Sequence, residues 1–184
     1  MGELKCTKMQ WKMLKKIEDE LQKEMYNQIG IVSGSMGLAL YYNWGFRQQR
    51  ISKLFKNICV AWDECVADDD TNILDMCKKE TGFTIGIPEY EGDYKDLIFF
   101  QEKKKMDKLS IHQRIYMRQR QRKWLGAEVL ASALISVHRQ FKFGGERIGK
   151  LYDQMVEIMQ EFNYDCKKIE DECYKVTNVG ITVK

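Results

Sequence analysis

The sequence predicts a mainly α-helical protein built from two similar three-helix units, and three observations support this fold class. Apolar residues recur every three to four positions along most of the chain. The 184 residues include a single proline, so little in the chain interrupts helices. The pattern of residues 44–55 returns 97 positions later. We therefore expect tandem-duplicated units related by a pseudo-twofold axis within one compact domain.

The repeat consists of matched residue types at matched positions. Its first part pairs Trp44 with Phe141, Phe46 with Phe143, Arg50 with Arg147, Ile51 with Ile148, Lys53 with Lys150, Leu54 with Leu151 and Phe55 with Tyr152. After one assumed deletion it pairs Ile73 with Ile169, Asp75 with Asp171, Cys77 with Cys173, Lys79 with Lys175, Thr81 with Thr177 and Ile85 with Ile181. The matching volumes indicate that both copies bury one kind of core.

Each unit is predicted to contain three helices. The first two span residues 35–43 and 48–64 in one copy, and residues 127–140 and 146–163 in the other. Gly45, Gly144 and Gly145 provide the positive backbone angles that a tight aromatic turn between these helices often needs.

The third helix of each unit is predicted from its two ends. Acidic residues suited to cap its first turn precede it, namely Asp69 or Asp70 in the first copy and Asp165 in the second. It ends at Gly82 or Asn178, the two residue types that best tolerate a left-handed cap. The alternating runs that follow, at residues 83–87 and 179–183, predict a small two-stranded β element.

A further helix is predicted to precede each unit. The helix at residues 8–26 carries a narrow apolar stripe of Leu14, Ile17, Leu21 and Met25, which suits packing either on its own domain or on a second subunit. A basic helix at residues 105–125 precedes the second unit. The predicted organisation is an amino-terminal amphipathic helix at 1–28, repeat 1 at 29–87, a loop and basic connecting helix at 88–124, and repeat 2 at 125–184.

Positive charge is concentrated in one segment. The net charge of the chain is +3, yet residues 103–123 hold nine Lys or Arg and one acidic residue, so this segment carries +8 and the rest of the chain −5. The candidate residues for binding a partner or nucleic acid are Lys104, Lys105, Lys108, Arg114, Arg118, Arg120, Arg122 and Lys123. Phosphate contact, an acidic protein surface and a merely solvated helix all remain open.

Two other groups of charged residues could bind a partner or could have a purely structural role. Arg47, Arg50, Lys53 and Lys56 follow the first aromatic turn, so this helix pair could act as a DNA-binding helix–turn–helix or could simply pack. An acidic strip of Glu157, Glu161, Glu170, Asp171 and Glu172 could imitate DNA locally or form a solvated helix face.

The residues indicate neither an enzyme nor a cofactor site. Asp68, Asp70 and Asn72 have the spacing of calcium ligands, but Ile73 and Lys79 stand where an EF-hand requires Gly and Glu. His138 is predicted to be a hydrogen-bonded core or boundary residue, and the six cysteines are predicted to be free thiols. The chain has neither a signal-peptide pattern nor an apolar run long enough to span a membrane, so we expect a cytoplasmic protein.

The second unit resembles a small module that recurs in phages and prophages of Firmicutes. That module has an apolar helix, a Phe-Gly-Phe-Gly-like turn, an Arg-containing helix and a closing helix that ends in Glu-Thr-Gly. The matching residues of the turn and helix are Phe141, Phe143, Gly144, Arg147, Ile148, Leu151 and Tyr152. The closing motif stands in the first unit as residues 80–82, whereas Thr177 and Asn178 depart from it in the second.

Among proteins of this size and kind, the chain is similar to type II-A anti-CRISPR proteins, which inhibit Cas9. The resemblance covers about two-thirds of the chain and excludes the amino-terminal and central basic helices. It implies a non-enzymatic, phage- or prophage-encoded protein that binds a Cas9–guide RNA complex as a homodimer and blocks target binding or cleavage. The alternative is a phage nucleic-acid-binding accessory protein that acts through the basic helix at 103–123.

Overall fold

A computed structural model describes residues 8–58, 60–67, 73–86 and 109–181. These residues form seven helices and no strand, which confirms the mainly α-helical prediction. The helices are α1 (Lys8–Trp44), α2 (Gln48–Asn57), α3 (Val60–Ala67), α4 (Ile73–Thr81), α5 (Ile111–Phe141), α6 (Gly145–Glu161) and α7 (Cys166–Thr177).

Two of these helices are longer than the sequence predicted. The separate helices expected at 8–26 and 35–43 form one continuous α1, and those expected at 105–125 and 127–140 meet in one continuous α5. The small residues between the predicted pieces of α1 do not end the helix. Ser35 donates its hydroxyl to the carbonyl of Ile31, at 2.8 Å, and Gly34 lies against Ile169 of α7. Tertiary packing therefore stabilises a helix across residues of low helix propensity.

The two long helices run side by side in the same direction. Gln10 and His112 approach to 3.2 Å near their beginnings. Glu18 Oε1 lies 3.7 Å from Arg118 Nε further along. At the far end, the rings of Trp44 and Phe143 are 4.7 Å apart. The amphipathic helix at 8–26 thus packs within its own chain, and α1 is about 55 Å long at 1.5 Å per residue.

Most of the short helices pack on the long helix of the opposite unit. The second unit's α6 and α7 pack on α1, and α3 and α4 of the first unit pack on α5, whereas α2 contacts both long helices. Ser132 and Ser136 of α5 donate hydrogen bonds to the carbonyls of Ile58 and Asn57 at the end of α2. Arg139 of α5 binds Glu80 through two hydrogen bonds and Glu64 through a third. Neither unit therefore encloses its own core.

The two aromatic turns meet where the two long helices end. Phe46 lies 4.7 Å from Phe141 and 6.1 Å from Phe143, measured between ring centroids. Trp44 contacts Phe143 and donates its indole N–H to Gln154 at 2.8 Å. Aromatic pairs at these separations stabilise a core beyond the area they bury, so the turns join the two units.

Matching local geometry recurs at the ends of α4 and α7. Thr81 donates to the carbonyl of Cys77 at 2.7 Å, and Thr177 donates to that of Cys173 at 2.6 Å. Each hydroxyl also accepts the backbone N–H two residues later. Gly82 and Asn178 follow with φ of 73° and 56°, as the cap argument predicted. The internal duplication stays a prediction, which these paired geometries support.

Several details differ from the sequence predictions. The helix expected at 48–64 is divided into α2 and α3, although its counterpart α6 is continuous. The described parts of the predicted strands, residues 83–86 and 179–181, contain no strand. Asp165 caps α7 as expected, by accepting the N–H of Lys168. Asp69 and Asp70 lie outside the described residues.

The glycines of the second aromatic turn have a different role from the one predicted. Lys142, with φ of 58°, takes the left-handed position there, whereas Gly144 has φ of −79°. Gly145 is required for another reason, since a Cβ at this position would lie 3.0 Å from the carbonyl oxygen of Thr81. This glycine lets α6 begin directly against the end of α4.

Candidate nucleic-acid interface

The predicted basic site lies on the first half of α5, beside the first half of α1. We call the paired segments, residues 8–28 of α1 and 111–125 of α5, the stalk. The backbone of residues 114–123 belongs to α5. The side chains of Arg120, Arg122 and Lys123 lie outside the described part of the chain, as do Lys104, Lys105 and Lys108 entirely.

Arg114 and Arg118 lie four residues apart on one face of α5, which we call the arginine face, and Arg118 is turned towards α1. Arg114 and Arg118 are half-buried, as are the intervening apolar residues Ile111 and Ile115. Arg114 donates its Nε–H to the carbonyl of Leu109 at 3.2 Å. The side chain of Arg118 is 24% exposed and faces Glu18. Arg118 therefore contributes a contact between the two helices of the stalk, whereas the hydrogen bond of Arg114 lies within its own segment.

Among the side chains that the structure describes, the exposed cations of the stalk come from α1, which the sequence argument did not include in the site. These residues are Lys8, Lys12, Lys15, Lys16 and Lys23. Four acidic residues share the segment, Glu18, Asp19, Glu20 and Glu24, so the α1 side of the stalk carries +1. The α5 side carries five basic residues and no acidic residue between 111 and 125. The segments that form the stalk are strongly positive together.

A shallow groove lies along the α1 half of the stalk. Lys8, Lys12 and Lys15 line it together with Trp11, and Glu18 and Asp19 lie at its other end. The side chain of Trp11 is 53% exposed. Cationic side chains beside an exposed aromatic ring are the combination that binds single-stranded nucleic acid, because phosphates pair with the cations and a base stacks on the ring.

The closeness of the two helices limits how the stalk can meet a duplex. A helix with its side chains is about 10–12 Å wide, so two helices side by side are about 20 Å wide. The major groove of B-DNA is about 12 Å wide and admits one helix. The contact between Gln10 and His112 holds the ends together, so they do not fork around a duplex as basic-region dimers do. The geometry favours phosphate contacts over base readout.

The three cysteines that the structure describes do not have the lowered thiol pKa of a reactive nucleophile. Burial raises the pKa of Cys77, Cys166 and Cys173 to about 11, so these thiols are protonated near neutral pH. All three are free, as predicted. His138 is half-buried, and its Nδ1 lies 2.8 Å from the carbonyl oxygen of Phe143. This confirms the prediction of a hydrogen-bonded boundary histidine.

The acidic strip of the second unit is partly neutralised by neighbouring lysines. Glu172 pairs with Lys175 at 3.0 Å, and Asp171 pairs with Lys167 at 3.6 Å. Tyr42 also donates its hydroxyl to Glu172, at 3.4 Å. These local pairs are typical of a solvated helix face.

No group of His, Cys, Asp and Glu side chains within the described ranges is arranged to hold a metal ion. Among the same residues, no helix is both long and apolar enough to cross a membrane. Comparison of the chain with protein-family models, curated proteins and solved structures finds no match. The functional argument therefore depends on the residues and their geometry.

Proposed function

We propose that this protein is a non-enzymatic inhibitor that binds a Cas9–guide RNA complex in the bacterial cytoplasm and blocks target DNA binding or cleavage. The sequence resemblance to anti-CRISPR proteins motivates the choice of target. The observation that carries the proposal is the concentration of positive charge in two parallel helices that pack against each other.

The chemistry of the target suits such a rod. Cas9 holds its RNA–DNA heteroduplex through backbone contacts in a positively charged channel and reads only a short motif of the duplex directly. A rigid cationic stalk can bind exposed phosphates of the guide or the target strand, or it can bind an acidic patch of the nuclease. The rest of the protein, outside the stalk, adds a second surface that obstructs the channel sterically.

The first prediction is that the purified protein co-purifies with a Cas9–guide complex and suppresses cleavage of a matched target at excess inhibitor. Target binding and cleavage are measured separately, by mobility shift and by product formation, across several type II-A orthologues. The mass of the complex by light scattering gives the subunit number, where a homodimer contributes twice the chain mass of 21.8 kDa. Unimpeded cleavage with every orthologue would contradict the proposal.

A second candidate function is supported by the exposed lysines and Trp11 of the stalk, namely a nucleic-acid-binding accessory protein that needs no Cas9. Under this alternative the protein alone binds single-stranded nucleic acid with a steep salt dependence, because each neutralised phosphate releases counterions. Inhibition of Cas9 would then be absent or would follow only from competition for nucleic acid.

The second prediction tests the stalk directly. Replacing Lys8, Lys12 and Lys15 by Gln is expected to lower the slope of log affinity against log salt by about 2, at roughly 0.7 per contact on a single strand. The matched control replaces Lys167, Lys168 and Lys175 of α7 by Gln, which removes the same charge from exposed positions that pair with local acids. Equal loss in both variants would show a general effect of net charge and would exclude the stalk as the binding surface.

A further inference from the structure

The outer face of α2 carries a second row of cations, at the opposite end of α5 from the stalk. Arg47, Arg50, Lys53 and Lys56 are all exposed. The chain contains no acidic residue between 25 and 62. None of the four cations belongs to an ion pair among the described residues. Their charge is therefore presented to solvent without local neutralisation.

Two of these cations are held in place by aromatic rings. The Cζ atom of Arg47 lies 5.0 Å from the ring centroid of Tyr41, and that of Arg50 lies 5.2 Å from the ring centroid of Phe46. Phe46 itself packs against Phe141 where the two aromatic turns meet. Stacking restricts the guanidinium groups before any ligand arrives, which lowers the entropy lost when they bind one.

The matching helix of the other unit has the opposite character. On α6, Arg147 and Lys150 occupy the positions of Arg50 and Lys53, but Glu146 forms an ion pair with Lys150 at 2.7 Å. Asp153 stands at the position of Lys56, and Glu157 and Glu161 follow it, all exposed. Only one of the two corresponding faces is therefore suited to bind an anion.

The dimensions of the row fit a nucleic-acid backbone. Arg47 and Lys56 are nine residues apart, or about 14 Å along a helix, so successive cations are separated by about 4.5 Å of axial rise and also turn gradually around the helix. One strand of a duplex carries a phosphate about every 3.4 Å of helix axis. An acidic protein would need apolar contacts as well, because specific protein interfaces have an apolar core. The exposed large apolar residues include none between Tyr42 and Val60.

We propose that the outer face of α2 is a second nucleic-acid contact surface, which binds the phosphate backbone through Arg47, Arg50, Lys53 and Lys56. The surface is independent of the stalk and of Cas9. The buried side of α2, formed by Ile51, Leu54 and Ile58, packs in the core, so the cations meet phosphates from outside the fold. Because Arg47 and Arg50 are already stacked on rings, the contact is to phosphate and not to base edges.

The test compares two double variants at corresponding positions. Arg50→Gln/Lys53→Gln removes two cations from α2, and Arg147→Gln/Lys150→Gln removes the matching two from α6. Each pair includes one arginine stacked on a phenylalanine, Phe46 or Phe143, so the loss of an aromatic contact is matched in the two variants. Binding is measured by fluorescence anisotropy with a DNA duplex of about 20 base pairs and with a single-stranded RNA of similar length, at several salt concentrations.

The α2 variant is expected to lower the duplex salt slope by about 2 and the affinity at 0.1 M salt by roughly 60-fold, at about 0.9 per phosphate contact. The α6 variant is expected to change neither quantity. Comparison of the loss of affinity for the DNA duplex with the loss for the single-stranded RNA shows which of the two backbones the α2 face prefers. Equal loss in the two variants, or no binding of either probe by the unsubstituted protein, would overturn the proposal.

Failure of the second surface on α2 can be distinguished from failure of the proposed function. If the lysine variant of the stalk loses binding and the α2 variant does not, the second surface is excluded while binding through the stalk stands. If only the α2 variant loses binding, the second surface is supported and the stalk is excluded. Suppression of Cas9 cleavage is scored separately for each variant. Thermal unfolding of each variant confirms that it is folded before binding is compared.

Discussion

Glu128→Gln is expected to stabilise the protein by about 3 kcal/mol at pH 8 and to leave its stability nearly unchanged at pH 4.5. Glu128 lies on α5 and is 6% exposed. Burial alone raises its pKa to about 7 from an ordinary value of 4.5, because an ionised carboxylate is poorly solvated in the protein interior. Glutamine has nearly the same shape and cannot ionise.

The sign follows from proton binding in the two states. Between pH 4.5 and pH 7 the unfolded chain has released the Glu128 proton while the folded protein retains it. Stability therefore falls as pH rises, by up to about 1.4 kcal/mol per pH unit, and levels off above pH 7. Arg139 lowers the pKa of Glu80 through its hydrogen bonds, so Glu80 contributes stability that is lost on acidification below about pH 4.5, outside this window.

Urea denaturation at several pH values between about 4.5 and 8 measures the effect as the difference between the variant and the unsubstituted protein. The control is Glu157→Gln, at an exposed position of α6, which is expected to change stability by less than about 0.5 kcal/mol at every pH. Parallel stability profiles for Glu128→Gln and the unsubstituted protein would show that the buried carboxyl does not govern the pH dependence.

Gly34→Ala and Gly126→Ala are expected to change stability in opposite directions, although both replace a glycine inside a long helix. Alanine favours an isolated helix by about 1 kcal/mol relative to glycine at either position. At position 34 the new Cβ would lie 2.5 Å from Cγ2 of Ile169, whose side chain is fully buried in α7. At position 126 it would meet only the end of Gln28, at 3.1 Å, and this flexible side chain can move aside.

The expected values are a loss of about 2 kcal/mol for Gly34→Ala and a gain of about 0.5–1 kcal/mol for Gly126→Ala. The loss is typical of overpacking in a rigid core, and it exceeds the gain in helix propensity because α7 has to move away from α1. The midpoint of denaturant unfolding measures both values. Stabilisation by Gly34→Ala would mean that α7 does not pack closely on α1, and the exchanged arrangement of the helices would then be wrong.

Local features of this chain were predictable because they depend on neighbouring residues. The left-handed positions at Gly82 and Asn178 follow from the residue types that end α4 and α7, and the cap at Asp165 follows from its carboxylate. The sequence did not predict which residue of the second aromatic turn has left-handed backbone angles. The glycines suggested Gly144 or Gly145, but Lys142 has these angles. Gly145 is needed instead for its close contact with Thr81.

The candidate site was predictable in location but not in composition. Charge density alone placed it on the helix that contains residues 114–123. The sequence could not show that Arg114 and Arg118 are half-buried, because that depends on which side of α5 faces α1. The apolar residues Ile111 and Ile115 on the arginine face were the available signal of this contact. The exposed lysines of α1 joined the site only through the pairing of the two helices.

The amino-acid sequence by itself determined the helical class, the carboxyl-terminal caps of α4 and α7 and the uneven distribution of charge. Periodicity, capping and charge are properties of short segments. Only the tertiary structure decided that α1 and α5 lie parallel, that each is covered by the other unit's short helices, and that Glu128 is buried. Equivalent apolar faces permit packing within a unit or between units. The choice depends on close approaches such as Gly34 to Ile169, which bring together residues far apart in the chain.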